Sequence, residues 1–235
     1  MLPKAILFDM DDTIILSGGI SDEIWDEISR HFVSKYNLFE YHVFTNELLR
    51  LRKWFWSDKK RHKAGRQDML LARRDLIKMT IESLGGKDHG YADEMAKLFV
   101  KRHMESMKMF DKAEDTLVEL GKSGVKLALV TNGGVVEQRG KIEKFQLEKY
   151  FDTILVEGET GFGKPEPEVY LMALERLGVK AEETWMVGDN LEWDVEGPQK
   201  LGIYGIWNDY RNTGLPEDSK VIPDRIVRSI GELLD

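Results

Sequence analysis

Four times along this chain a short apolar run stops at polar residues suited to chemistry. Lys4-Ala5-Ile6-Leu7-Phe8 ends at Asp9-Met10-Asp11-Asp12-Thr13, and Val125 to Val130 ends at Thr131-Asn132-Gly133-Gly134. Phe151 to Val156 leads to Gly161-Phe162-Gly163-Lys164-Pro165, and Trp185-Met186-Val187 ends at Gly188-Asp189-Asn190. Runs that are apolar throughout, rather than at alternate positions, read as strands buried on both faces. Helical stretches are expected between them, over 115–122, 135–148 and 166–177, with a short one over 194–201 and a further strand at Tyr204 to Trp207. Repeated βα units of this spacing predict an α/β fold: a Rossmann-like, mainly parallel sheet with helices on both faces. In such a sheet the strands end along one edge, so Asp9, Thr131, Lys164 and Asp189 are expected to share one crevice.

Between the first run and the second the rhythm is helical. Ile20, Ile24, Ile28 and Phe32 form one i, i+4 stripe, and Leu70, Ile77, Ile81 and Leu84 form another that ends at Gly85-Gly86. Ser21 or Asp22 is expected to cap the first of these helices. The organisation expected is therefore a core domain, 1–17 with 105–235, interrupted by an inserted α-helical domain, 18–104.

Composition excludes several classes of function. With no Cys among 235 residues, disulfides, thiolate ligands and cysteine nucleophiles are ruled out, and a reducing, cytoplasmic setting is expected. The amino-terminal stretch lacks the apolar run of a signal peptide, and no stretch reaches the length of a membrane span, so no membrane partner is expected. A net charge of −8 argues against a nucleic acid polymer as partner. Basic residues are nevertheless concentrated at Arg50, Arg52, Lys53, Lys59, Lys60, Arg61, Lys63 and Arg66, against the single acid Asp58. Such a stretch is either a solvated helix face or a patch that attracts a small anionic substrate. The apolar content suits a monomer or a homodimer.

Asp9 and Asp11 at a strand end repel each other unless a cation offsets them. An all-oxygen site of this kind suits Mg2+, and no His or Cys cluster speaks for zinc. Carboxylates so placed have a direct use in phosphoryl transfer: one attacks phosphorus while a second protonates the leaving oxygen and later deprotonates water. Thr131 and Asn132, through hydroxyl and backbone N–H, and Lys164 through its ammonium, suit the stabilisation of phosphate oxygens. Asp189 is the best further metal ligand. Asp194 either reaches the cation through water or holds Lys164, and Asp12 is expected to shape the loop.

Taken together, Asp9-Met10-Asp11-Asp12-Thr13, Val130-Thr131-Asn132-Gly133, Gly163-Lys164-Pro165 and Gly188-Asp189-Asn190 through Asp194 resemble the haloacid dehalogenase-like hydrolases, specifically their phosphatase branch. The resemblance implies that Asp9 is the nucleophile forming an aspartyl-phosphate. It implies that Asp11 is the general acid/base and lends its backbone carbonyl to Mg2+. Thr131, Asn132 and Lys164 would hold the phosphate, Asp189 would complete the metal shell and Asp194 would support it. The inserted domain would be the family's helical cap. The expected substrate is a small soluble phosphomonoester: a sugar phosphate, an acylneuraminate phosphate, phosphoglycolate or a nucleoside monophosphate. A sugar-phosphate mutase and a non-catalytic phospholigand-binding protein are the alternatives. Gly18, Gly19, Trp54, Trp56, Arg66, Arg73 and Arg74 are candidates for substrate selection, each with a plain structural role as its competitor.

Overall fold

The computed structural model describes residues 2–235, and the chain divides into two compact units, 1–18 with 108–235 and 19–107. In the first, strands β1 (Ala5–Phe8), β4 (Lys126–Thr131), β5 (Thr153–Val156), β6 (Thr184–Gly188), β7 (Tyr204–Asn208) and β8 (Arg225–Val227) form a six-stranded sheet in the order β5-β4-β1-β6-β7-β8. Every pairing in it is parallel, with Ala5 opposite both Lys126 and Thr184. The remaining strands, β2 (Ile15–Leu16) and β3 (Lys108–Met109), pair antiparallel where the chain leaves this unit and where it returns.

All of β1 is buried because both faces of the sheet are covered. Ala5 and Leu7 join Ala128, Val130, Leu155 and Met186 against Val169, Tyr170, Ala173 and Leu177 of helix α9 (Pro167–Leu177). Ile6, Phe8, Leu127 and Leu129 point the other way, as a two-residue period demands, and helix α6 (Ala113–Lys122) packs on β4 from that side. Helix α7 (Val135–Lys144) follows β4, and one turn of helix, α8 (Glu157–Thr160), follows β5. The chain works outward from β1 to β4 and β5, then returns to add β6, β7 and β8 on the other side. The reversal of strand order falls between β1 and β6, the place where open α/β sheets leave a crevice for ligands.

The second unit is helical throughout, with α1 (Ser21–Tyr36), α2 (Tyr41–Ser57), α3 (Lys59–Gln67), α4 (Met69–Ser83) and α5 (Tyr91–Ser106). Its core is built on the first expected stripe: Ile24, Ile28 and Phe32 pack with Phe44, Leu48, Ile77, Ile81, Met95 and Phe99. Of the second stripe Ile77 and Ile81 are buried, whereas Leu70 faces solvent. The expected caps on α1 are not formed. Ile20 occupies the N-cap position with no side-chain bond, and the Ser21 hydroxyl lies instead 3.5 Å from His103 Nε2.

Candidate active site

Asp9 follows the last residue of β1, and its backbone N–H donates to Val187 O of β6 at 2.9 Å. That bond holds the Asp9 side chain at the switch between β1 and β6. Lys164 Nζ donates to Asp9 Oδ1 at 2.5 Å and to Asp194 Oδ1 at 2.7 Å, with Lys164 and Asp194 each 1% exposed. Oxygens of Asp9, Asp189 and Asp194 all lie within 4.8 Å of one another. Burial pushes the Asp9 carboxyl up to about 7 against the pull of Lys164. Burial, followed by the charges of Asp9, Asp194 and Asp12, pushes Asp189 up to about 8. For Lys164, burial works against the ammonium, but Asp194 and Asp9 more than offset it and raise its pKa.

These carboxylates are a fit for a hard divalent cation. One ammonium faces three acids, all the donors are oxygen, and burial together with the neighbouring carboxylates raises the Asp189 pKa, as expected of a cluster short of positive charge. Glycine at 188 is needed for the close approach, since a Cβ there would run into the Asp194 carboxyl group. Asp194 sits on a turn of π-helix over Leu191–Glu196, with Asn190 N–H donating to its Oδ2 at 3.0 Å.

Asp11 points elsewhere. Lys141 Nζ donates to both of its carboxylate oxygens at 2.8 Å, and Gln138 Nε2 donates to Oδ2 at 3.0 Å. Burial would raise the Asp11 pKa, yet Lys141 and Gln138 overcome it and hold the group below the ordinary carboxylate range. Gln138 also donates to Thr131 Oγ1 at 2.5 Å, so one face of α7 ties Asp11 to the end of β4. Asp12 adopts a positive φ of 57°, accepts from Ser17 N–H at 2.9 Å and lies 3.4 Å from Arg211 Nη2. A Cβ on Gly18 would come within 2.5 Å of Asp12 Oδ2, which gives that glycine a reason within the loop itself.

Lys164 is not at a strand end, because α8 and a loop intervene after β5. Its backbone is clamped by the Asn132 side chain, which accepts from Lys164 N–H at 2.8 Å and donates to Lys164 O at 2.7 Å, beside a cis Lys164-Pro165 bond. Pro165 does not open the following helix; Glu166 is the N-cap residue and Pro167 begins α9.

The structure thus gathers Asp9, Lys164, Asp189 and Asp194 at one edge of the sheet and ties Asp11 to Thr131 through Gln138. Gly19, Trp54, Trp56, Arg66, Arg73 and Arg74 belong to the helical unit. There Arg73 is 5% exposed and lies over the Phe99 ring at 4.7 Å. Trp54 is 44% exposed beneath the Arg61 guanidinium at 4.0 Å. Part of the basic stretch is bonded within the unit: Arg50 to Glu47 at 2.7 Å, and Arg52 to Asp22 at 2.8 Å. Lys141 and Gln138 went unnoticed in the sequence. Their only signal there is a shared helix face, three residues apart, directly after Thr131-Asn132.

The model of the haloacid dehalogenase-like hydrolases matches residues 3–202, and the chain belongs to that family. The chain is similar to a phosphoserine phosphatase of Thermus thermophilus, 37% identical over 68% of this chain and 63% of that protein. It is also similar to the N-acylneuraminate-9-phosphatase of Rattus norvegicus, 28% identical over 98% of this chain and 92% of that one. Among solved structures, an HAD phosphatase from Thermococcus onnurineus superposes with a TM-score of 0.65 at 26% identity, covering 98% of this chain and 95% of its own. The chain is thus a hydrolase whose curated relatives are named phosphatases. No helix among the described residues is long and apolar enough to cross a membrane.

Proposed function

We propose that this protein is a Mg2+-dependent phosphatase that hydrolyses a small phosphomonoester through an aspartyl-phosphate on Asp9. The observation that carries this reading is the buried Asp9–Lys164–Asp194 chain with Asp189 beside it, set at the switch of strand order. Bound Mg2+ supplies charge neutralisation for the carboxylates and for the phosphate oxygens, held by Asp9, Asp189 and the Asp11 carbonyl, with Asp194 in support.

Lys164 favours the ionised form of Asp9 against its burial and aims it, and its ammonium faces the phosphoryl oxygens in the transition state. The Asp9 carboxylate attacks phosphorus as the bond to the leaving oxygen breaks, and Asp11 delivers a proton to that oxygen. Water then attacks the same phosphorus and gives its proton to Asp11, and the bond to Asp9 breaks to release inorganic phosphate. Bonded to Lys141, Asp11 is set as the base of this second half. To serve as the acid it takes a proton and turns off Lys141. Thr131 and Asn132 line the phosphate subsite, and Asn132 also fixes where Lys164 starts.

The test is phosphate release over a panel that includes phosphoserine, N-acylneuraminate 9-phosphate, glyceraldehyde 3-phosphate, phosphoglycolate and nucleoside monophosphates, with Mg2+ added. Asp9→Asn is expected to abolish turnover with the circular dichroism spectrum unchanged. Normal turnover by that variant would remove Asp9 from the nucleophile's place, and phosphate migration within a sugar without release would make the protein a mutase.

A further inference from the structure

Gln138 is a buried polar residue to which the chemistry proposed above gives no part, yet it bonds two residues that have one, Asp11 and Thr131. It lies in the first turn of α7, directly after the loop Asn132-Gly133-Gly134, and helical side chains lean back towards the amino terminus. That direction carries the amide over the end of β4, where a Cβ on Gly133 would come within 3.2 Å of two Gln138 side-chain carbons. β4 lies beside β1 with Leu129 opposite Phe8, so Thr131 and the Asp9 to Asp11 segment emerge at one edge of the sheet.

The two bonds decide which way the amide faces. Asp11 is a carboxylate paired with Lys141 and has only lone pairs to offer, so the amide turns its nitrogen, not its carbonyl, towards it. Nε2 carries two hydrogens: one goes to Asp11 Oδ2 at 3.0 Å and the other to Thr131 Oγ1 at 2.5 Å. The Thr131 hydroxyl is therefore the acceptor, because an amide nitrogen has no lone pair to receive its hydrogen. That bond leaves the hydroxyl's own hydrogen unspent and polarises it as a donor. Were the carbonyl of Gln138 in that place instead, Thr131 would spend its hydrogen on it and turn lone pairs towards an incoming anion.

We propose that Gln138 is a positioning residue of the phosphate subsite: by giving Thr131 a hydrogen bond and accepting none from it, Gln138 reserves the Thr131 hydroxyl hydrogen for a phosphoryl oxygen. The inference rests on the phosphatase reading, in which Thr131 lines that subsite. Gln138 touches no substrate atom itself and acts through Thr131. Its second bond anchors it to Asp11, so the orientation of the phosphate donor is set from the same point that holds the proton carrier.

Calorimetric titration of the full chain with orthovanadate in the presence of Mg2+ tests this, orthovanadate being a mimic of the phosphoryl group in transfer that binds more tightly than substrate. Gln138→Glu keeps the shape but presents Thr131 with an oxygen that takes the hydroxyl hydrogen, and is expected to weaken binding by about tenfold or more. Gln138→Met removes both bonds without adding charge and is expected to weaken binding by about threefold to tenfold. In a Thr131→Val background, where there is no hydroxyl to orient, Gln138→Met should change the affinity by less than about twofold, whereas a residue that only fills space would cost the same in both backgrounds. Circular dichroism checks that each variant is folded, and Gln138→Glu decides alone if Gln138→Met is not. The inference is overturned if the folded variants bind orthovanadate within about twofold of the parent, or if the loss from Gln138→Met is as large with Thr131→Val as without it. Phosphate release by the parent over the phosphomonoester panel judges the underlying reading separately: a parent that neither turns over nor binds orthovanadate removes both, and a parent that does both while Gln138 proves indifferent removes this inference alone.

Discussion

Replacing Lys164 with Met is the sharpest perturbation the site offers. The side chain is buried to 1% exposure between Asp9 and Asp194, and the thioether fills nearly the same volume, so the change is one of charge. Removing one partner of a buried ion pair typically costs about 3–5 kcal/mol, because the other partner is left charged in a dry place. Here two carboxylates are stranded, and Asp9 responds by holding its proton more tightly. In the parent protein Asp9 is already raised to about 7, well above an unfolded Asp. The folded state therefore binds more protons than the unfolded chain between about pH 4 and that value, and stability falls as pH rises through the window. In Lys164→Met the window extends upward. The metal-free variant should lose on the order of 10 °C in Tm at pH 8 and recover much of the deficit at pH 5. Thermal unfolding followed by circular dichroism in EDTA measures both. A loss under about 1 kcal/mol at pH 8, or one independent of pH, would show that Lys164 does not neutralise these acids and would refute the reasoning.

Other expectations follow from the same geometry. Lys141→Met releases Asp11, so its lowered pKa returns upward; the acidic limb of the kcat profile, which includes the half-reaction in which Asp11 is the base, should move to higher pH, with kcat reduced by about 10- to 100-fold. Gly188→Ala places a methyl group against the Asp194 carboxyl, and urea unfolding should show a loss of about 1–3 kcal/mol. Mg2+ should raise Tm more at pH 8 than at pH 5.5, because Asp189, pushed up to about 8, and Asp9, at about 7, must shed protons before they ligate. Equal shifts at the two pH values would place the ion elsewhere.

The parallel sheet was legible because strands covered on both faces are written as unbroken apolar runs; Ala5 to Phe8 and Leu127 to Val130 leave little choice. The edge strand Arg225–Val227 was missed for the converse reason: it opens on a charge, and Ile226 is 46% exposed. Two-residue strands such as Ile15–Leu16 have no period to detect. At the site, residues fixed by backbone position stood out, whereas Lys141 and Gln138 did not. Their meeting with Asp11 joins positions about 130 residues apart and depends on how α7 is rolled on the sheet, which no local pattern records. A proline before a helix usually opens it, but here Pro167 does so and Pro165 belongs to the clamp that Asn132 closes on Lys164.

The β2–β3 ladder pairs Ile15 with Met109 and Leu16 with Lys108, so the chain departs for the helical unit and comes back through adjacent residues. To the α/β unit, everything between those pairs is a loop whose ends are already joined. The entropic penalty of such a loop grows only with the logarithm of its length, about 0.6 kcal/mol for each doubling. Lineages of this architecture are therefore free to lengthen, shorten or exchange the intervening segment without disturbing the strands that carry Asp9 and Asp189. That makes this short ladder the natural place for the molecule to diversify.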